Sequence, residues 1–291
     1  METSELLKKV RKIEIKTRGL SNQIFSGEYH SAFKGRGMAF SEVREYIPGD
    51  PIRSIDWNVS ARFNHPYVKV FEEERELTMM LLIDISASEN FGTKGLLKRE
   101  LLTEVAAVLA FSAVQNNDKI GVILFSDRIE KFIPPKKGKS HILRIIREMI
   151  NFEPEGTGTN IEQALSFFNN VTKKRSIAFL ISDMMDEGYE KPLRIAAKKH
   201  DFVALQLRDI AEDSIPDLGY IPLKNAETGT IEWVNSSNKK LRKAFRANAR
   251  KQLDETEQLL KRSGVDFTYL YTNRSYVKPL MQLFKKRESK R

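Results

Sequence analysis

The chain has 291 residues, 41% of them hydrophobic, with a formal net charge of +10 and no cysteine. That composition supports a sizeable core and excludes global disorder, disulfides, zinc–thiolate sites and cysteine nucleophiles. The amino terminus lacks the apolar core of a secretory signal, and no stretch approaches the roughly 20 apolar residues of a membrane span, so a cytoplasmic protein without a span is expected.

Residues 1 to 25 read as a helix, because Leu6, Val10 and Ile13 form one apolar stripe. Residues 27 to 75 differ, being rich in glycine and short aromatic stretches, with a turn signal at Pro48-Gly49 and an alternating strand over Tyr67 to Glu72. A small β-rich module is expected there, so the chain divides into 1–75 and 76–291. From Leu77 the pattern alternates. Strands are expected at Leu77–Ile83, Lys119–Phe125, Ile129–Ile133, Ser176–Ile181, Phe202–Leu207 and Val265–Leu270. Helices are expected at Leu96–Val114, His141–Ile150, Ile161–Val171, Tyr189–Lys199 and Tyr276–Phe284. Such alternation predicts an α/β fold with a doubly wound, mainly parallel sheet of Rossmann type.

An interruption at about 211–238 reads as an inserted β-hairpin, with strands at Tyr220–Leu223 and Thr230–Val234. Lys239 to Lys261 then reads as a long basic helix whose inner face carries Leu241, Phe245, Leu253 and Leu260. From Lys239 to Arg291 there are 16 basic and 5 acidic residues, so the positive charge belongs to this segment. It suits an acidic partner, nucleic acid or an anionic membrane surface, or is a solvated helix face.

The strand at Leu77–Ile83 stops at Asp84-Ile85-Ser86-Ala87-Ser88, which places three oxygen ligands at one point. Alone, this is also ordinary turn or cap chemistry. Two further stretches strengthen it. Glu155-Gly156-Thr157-Gly158-Thr159-Asn160 opens a helix, and its glycines let backbone approach a ligand. Phe179-Leu180-Ile181-Ser182-Asp183 is a second apolar strand ending in an acid. Ligands of doubly wound sheets bind beyond the carboxyl ends of strands at the switch point. The all-oxygen set Asp84, Ser86, Ser88, Thr159 and Asp183 suits Mg²⁺ or Mn²⁺.

These five positions resemble the metal-ion-dependent adhesion site of von Willebrand factor A-type domains, over about Leu77 to the carboxyl terminus. The resemblance implies that Ser86 and Ser88 ligate directly, Thr159 in one conformation, and Asp84 and Asp183 directly or through water. It also implies an open coordination position filled by a partner's acidic side chain. Upstream, Gly27, Ser31, Gly35, Gly37, Phe40, Arg44, Tyr46, Pro48-Gly49-Asp50, Arg53, Ile55-Asp56-Trp57 and Ser60-Ala61-Arg62 resemble the bacterial family called "domain of unknown function 58". That family implies a MoxR-type AAA+ ATPase as partner. For Arg44, Asp50, Asp56, Trp57 and Arg62 an ion-pair and packing network is expected, with no role in ligand binding.

The expectation is therefore a non-enzymatic, divalent-metal-dependent protein-interaction module. Two alternatives stand beside it. One is nucleic-acid binding by the basic carboxyl-terminal segment, which lacks a reader motif. The other is a metal-dependent phosphotransferase or hydrolase using Asp84, which wants a second acid two residues on, where Ser86 stands. Lys136-Lys137-Gly138-Lys139-Ser140 imitates the end of a phosphate loop, but Pro134 and Pro135 remove the backbone donors such a loop needs.

Overall fold

The computed structural model describes residue 14 and residues 38–73, 77–93, 96–224 and 229–289. The helix expected over residues 1 to 25 lies outside the described residues except at Glu14. Two compact units divide the chain, one ending at Leu77 and the other taking it up at Thr78.

In the smaller unit, strands β1 (Met38–Glu45) and β2 (Tyr67–Glu73) pair antiparallel, with a register shift between Phe40 and Glu42. Between them lie a 3₁₀ turn at Ile52–Ser54 and helix α1 (Trp57–Phe63). Arg44 grips Asp50 with two parallel hydrogen bonds, both 2.7 Å, the planar fork that guanidinium and carboxylate favour. Asp56 caps α1 by accepting from Asn58 N (3.0 Å) and Val59 N (3.3 Å), and it pairs with Lys69 at 3.3 Å. The expected network is thus formed by Arg44, Asp50 and Asp56. Trp57 and Arg62 depart from it, because both are exposed, Trp57 at 67%.

The larger unit is built on a six-stranded sheet in the order β10-β7-β6-β3-β4-β5. The strands are β3 (Thr78–Asp84), β4 (Lys119–Phe125), β5 (Ile129–Lys136), β6 (Ile177–Ser182), β7 (Asp201–Arg208) and β10 (Asp266–Tyr271). All pairings are parallel except β4 with β5. That exception follows from Ser126-Asp127-Arg128, too short a connection for a parallel crossover. The central strands are continuous apolar runs because both faces are covered; Met79 to Ile83 and Ala178 to Ile181 are fully buried.

Helices α2 (Lys98–Gln115), α3 (Lys139–Asn151), α4 (Ile161–Val171), α5 (Glu190–Lys199), the short α6 (Ile210–Asp213), α7 (Lys239–Arg262) and α8 (Val277–Ser289) complete the unit. Helix α2 is buried on nearly all sides, with Ala106, Ala107, Ala110 and Ala113 at 0–1% exposure. These small side chains let it lie against α3, β3, β4 and β7 at once. On one face, Leu165 and Phe168 of α4 and Leu193 of α5 join Leu82, Ile123 and Leu180 in one cluster. Strands β8 (Tyr220–Lys224) and β9 (Ile231–Asn235) form the expected hairpin, which exposes Tyr220 and Trp233. Its turn residues Glu227 and Thr228 lie outside the described residues. On α7 only Leu260 is fully buried, while Leu241, Phe245 and Leu253 are half-buried. Among the described residues, no helix is long and apolar enough to cross a membrane.

Candidate metal centre

Strand β3 runs out at Asp84, and its parallel neighbour β6 runs out at Ser182, one residue before Asp183. The chain leaves β3 for β4 on one side and enters β6 on the other, so the two ends frame the switch point. A 3₁₀ turn at Ala87–Asn90 follows β3. Asp84 is fully buried; its Oδ1 accepts from Ser86 N (2.9 Å) and its Oδ2 from Ser182 Oγ (2.7 Å). The Ser86 and Ser88 hydroxyls lie 3.1 Å apart. Asp183 is 2% exposed, and its Oδ1 accepts from Met185 N at 3.1 Å. The turn after it is tight: Met184 has φ 59°, a left-handed conformation uncommon for a large side chain.

Four of the five expected ligands are therefore gathered, Asp84 with Ser86 and Ser88 through hydrogen bonds and Asp183 beside Asp84. Thr159 stands differently. Its loop reaches the others through Thr157, whose carbonyl accepts from Ala87 N at 3.1 Å. Thr159 itself is half-buried and makes no hydrogen bond to the other four among the described residues. Among protein atoms, both loop glycines face the Ser126–Asp127 turn. Gly156 is needed for close approach to Ser126 and Asp127, where an added Cβ would stand 2.3 Å and 2.1 Å from side-chain oxygens. Gly158 meets only ordinary contact, 3.6 Å from Asp127 Cβ.

Three charged residues at the centre escaped the sequence pattern. Glu89 is 1% exposed, and its Oε1 accepts from Asp183 N at 3.2 Å. Carboxylate oxygens of Asp84, Glu89 and Asp183 all lie within 4.8 Å of one another. Lys98, also 1% exposed, places its ammonium 3.0 Å from Asp183 Oδ2 and pairs with Glu212. Two signals were readable: an acid directly after the second serine, and the Asp209–Glu212 capping box of α6, which fixes Glu212.

The electrostatics follow from burial. Burial, then the Asp183 charge, push the Asp84 carboxyl up to about 7 against the hydrogen bonds from Ser86 and Ser182. Burial, then Asp183 and Asp84, hold Glu89 well above the usual carboxylate range. Burial works against the Lys98 charge, but Asp183, Glu89 and Glu212 outweigh it and hold the ammonium above its ordinary value. Three buried carboxylates, Asp84, Glu89 and Asp183, and the half-buried Glu212 thus share one ammonium. A divalent cation fits this donor set, since it supplies positive charge where protons would otherwise be taken up.

Comparisons with known proteins find relatives, a partial structural likeness and a family. An uncharacterized protein of Mycobacterium tuberculosis, Rv1480, is 26% identical over 285 residues, covering 97% of this chain and 90% of its own. Bacillus subtilis YeaD, also uncharacterized, is 28% identical over 109 residues, 38% of this chain and 25% of its own. Among solved structures, the conserved hypothetical protein BatB from Bacteroides thetaiotaomicron matches 73% of this chain and 99% of its own, with 16% identity and a TM-score of 0.46. The signature of "Protein of unknown function DUF58" matches residues 42–255, and the chain belongs to that family.

Proposed function

We propose that this protein is a non-enzymatic interaction module of von Willebrand factor A type, which holds Mg²⁺ or Mn²⁺ at Asp84, Ser86, Ser88 and Asp183 and presents it to an acidic side chain of a protein partner. The observation that carries this reading is the convergence of two strand-end carboxylates and two serine hydroxyls at the switch point of the sheet. When bound, the cation supplies a Lewis-acidic centre for oxygen ligands. Asp84 is oriented by Ser86 N and Ser182 Oγ, and Asp183 by Met185 N and Lys98, so both carboxylates are fixed beforehand. Thr159, on its separate loop, would ligate in one conformation, as the resemblance implies. The resemblance behind this reading extends to a MoxR-type AAA+ ATPase as the partner.

Calorimetry with Mg²⁺ tests the site. Wild type binds and Asp84→Ala does not; equal binding by both, or by neither, sinks the proposal. For the partner, co-purification with a MoxR-type ATPase is lost in EDTA if the metal is the contact.

One observation favours a second reading. Glu89 brings beside Asp84 the acid that Ser86 cannot supply to a phosphotransferase or hydrolase. Against it, Asp84 is fully buried with both oxygens engaged, so no free nucleophile faces a substrate. Magnesium-dependent turnover of p-nitrophenyl phosphate, abolished by Asp84→Asn, would restore it.

A further inference from the structure

The centre holds one carboxylate more than the proposed reading uses. Glu89 sits on the 3₁₀ turn that also carries Ser88, so the fold that sets the serine hydroxyls in place sets this acid too. Its Oε1 is tied to Asp183 N at 3.2 Å, which anchors the turn to the loop after β6. Its Oε2 is buried and has no hydrogen-bond partner among the described residues. Asp84 and Asp183, by contrast, have a protein donor on each of their oxygens. A buried carboxylate oxygen without a partner is costly, and proteins retain one where something else meets it. Three atoms mutually within 4.8 Å all lie within about 2.8 Å of a common point, close to the roughly 2.0–2.6 Å at which Mg²⁺ and Ca²⁺ take oxygen. Little contraction brings all three onto one ion.

We infer that Glu89 is a direct ligand of the cation, a carboxylate supplied from within the chain at the coordination position otherwise left for a partner's acid. This rests on the metal reading above and sharpens it. With hydroxyl ligands and two carboxylates, a divalent ion stays under-neutralised and attracts an outside acid. A third carboxylate reduces that attraction. A partner's acid then competes with Glu89 instead of entering a vacant position, and the resting protein holds its ion alone. Lys98 belongs to the same arrangement. It neutralises Glu212 and one oxygen of Asp183, which keeps the anionic excess on the three oxygens that converge.

The test uses Mn²⁺ alone with the full chain, comparing wild type, Glu89→Gln and Asp84→Asn by calorimetry and by water-proton relaxation of the bound ion. Glu89→Gln is expected to weaken Mn²⁺ at least ten-fold and to raise the relaxation per bound ion, because water replaces the lost ligand. Glu89→Asp, which keeps the charge on a shorter arm, is expected to weaken binding as well, and it stands in if the amide does not fold. Glu89→Gln within two-fold of wild type, with unchanged relaxation and with Asp84→Asn impaired, overturns the role of Glu89 and leaves the proposed function standing. Absence of Mn²⁺ binding by wild type overturns both.

Discussion

A methyl group on Gly156 would meet Asp127 Oδ1 at 2.1 Å and Ser126 Oγ at 2.3 Å. Asp127 is 43% exposed and can swing away, but Ser126 is buried and donates to Glu130 at 2.6 Å. Gly156→Ala should therefore cost about 1–3 kcal/mol, read as a lower urea midpoint with unchanged slope. An unchanged midpoint would mean that the loop yields freely. Lys98 is the harsher case. Its removal leaves the buried Asp183 and the half-buried Glu212 without their counter-charge. Lys98→Met should destabilise by about 3–5 kcal/mol, against under 1 kcal/mol for an exposed pair such as Arg250–Asp254. Comparable losses for the two would refute the buried-pair account. At this scale the sequence disclosed what is local. Asp84, Ser86 and Ser88 lie within five residues, and their place at a strand end was legible from the apolar run before them. Glu89 stands directly after Ser88 in the sequence, but its bond to Asp183, 94 residues away, appears only in the fold. Lys98 opens α2, and only the burial of that helix on nearly all sides makes it an interior group. Thr159 shows the converse: its residue type was suitable, but the loop meets the centre through the backbone of Thr157.

Strand and helix identities were legible because the central strands are unbroken apolar runs and the helices carry a 3.6-residue stripe. Helix α1 and strand β1 were missed, since a seven-residue helix shows barely two turns and β1 owes its order to pairing with β2. The junctions between elements hold side chains whose roles appear only after packing. His200 closes α5 and precedes β7, with its Nδ1 2.9 Å from Ser176 Oγ just ahead of β6. It is 2% exposed, and the Phe168 ring lies 4.6 Å away. Burial, then Lys199 and Arg175, lower its pKa to about 4. The unfolded chain, with an ordinary value of about 6.5, takes up the proton first as pH falls. The stabilisation from neutral His200 is thus complete above about pH 6.5 and is lost towards pH 4, amounting to about 3 kcal/mol at most. Urea melts at pH 7 and pH 4.5 should show wild type losing more stability than His200→Gln. Equal losses would place the acid sensitivity elsewhere.

For the whole molecule, the two ends of the charge distribution do different work. The basic excess from Lys239 onward lies mostly on exposed positions of α7, with Lys239, Lys240, Lys243, Arg246 and Arg250 all facing water. The interior holds the acids Asp84, Glu89 and Asp183, with Lys98 pairing Asp183 and the half-buried Glu212. Such an interior opposes folding until it is neutralised, and protons and a cation compete for that task. An ion that binds only the folded chain adds stability by mass action. At a hundred-fold excess over its dissociation constant, Mg²⁺ should contribute about 2.7 kcal/mol, or roughly 5–10 °C in melting temperature for a unit of this size. Sodium chloride at matched ionic strength should not reproduce the shift, because screening acts on exposed charges and reaches this buried cluster weakly. The measurement is a pair of calorimetric scans at pH 7.5, in EDTA and in excess Mg²⁺. Asp84→Asn serves as the control, since removing one of the converging charges should raise the melting point in EDTA and abolish the response to Mg²⁺. A wild-type transition indifferent to Mg²⁺ would mean that Lys98 and protons alone balance the core, and the centre would then be a polar strand end and nothing more.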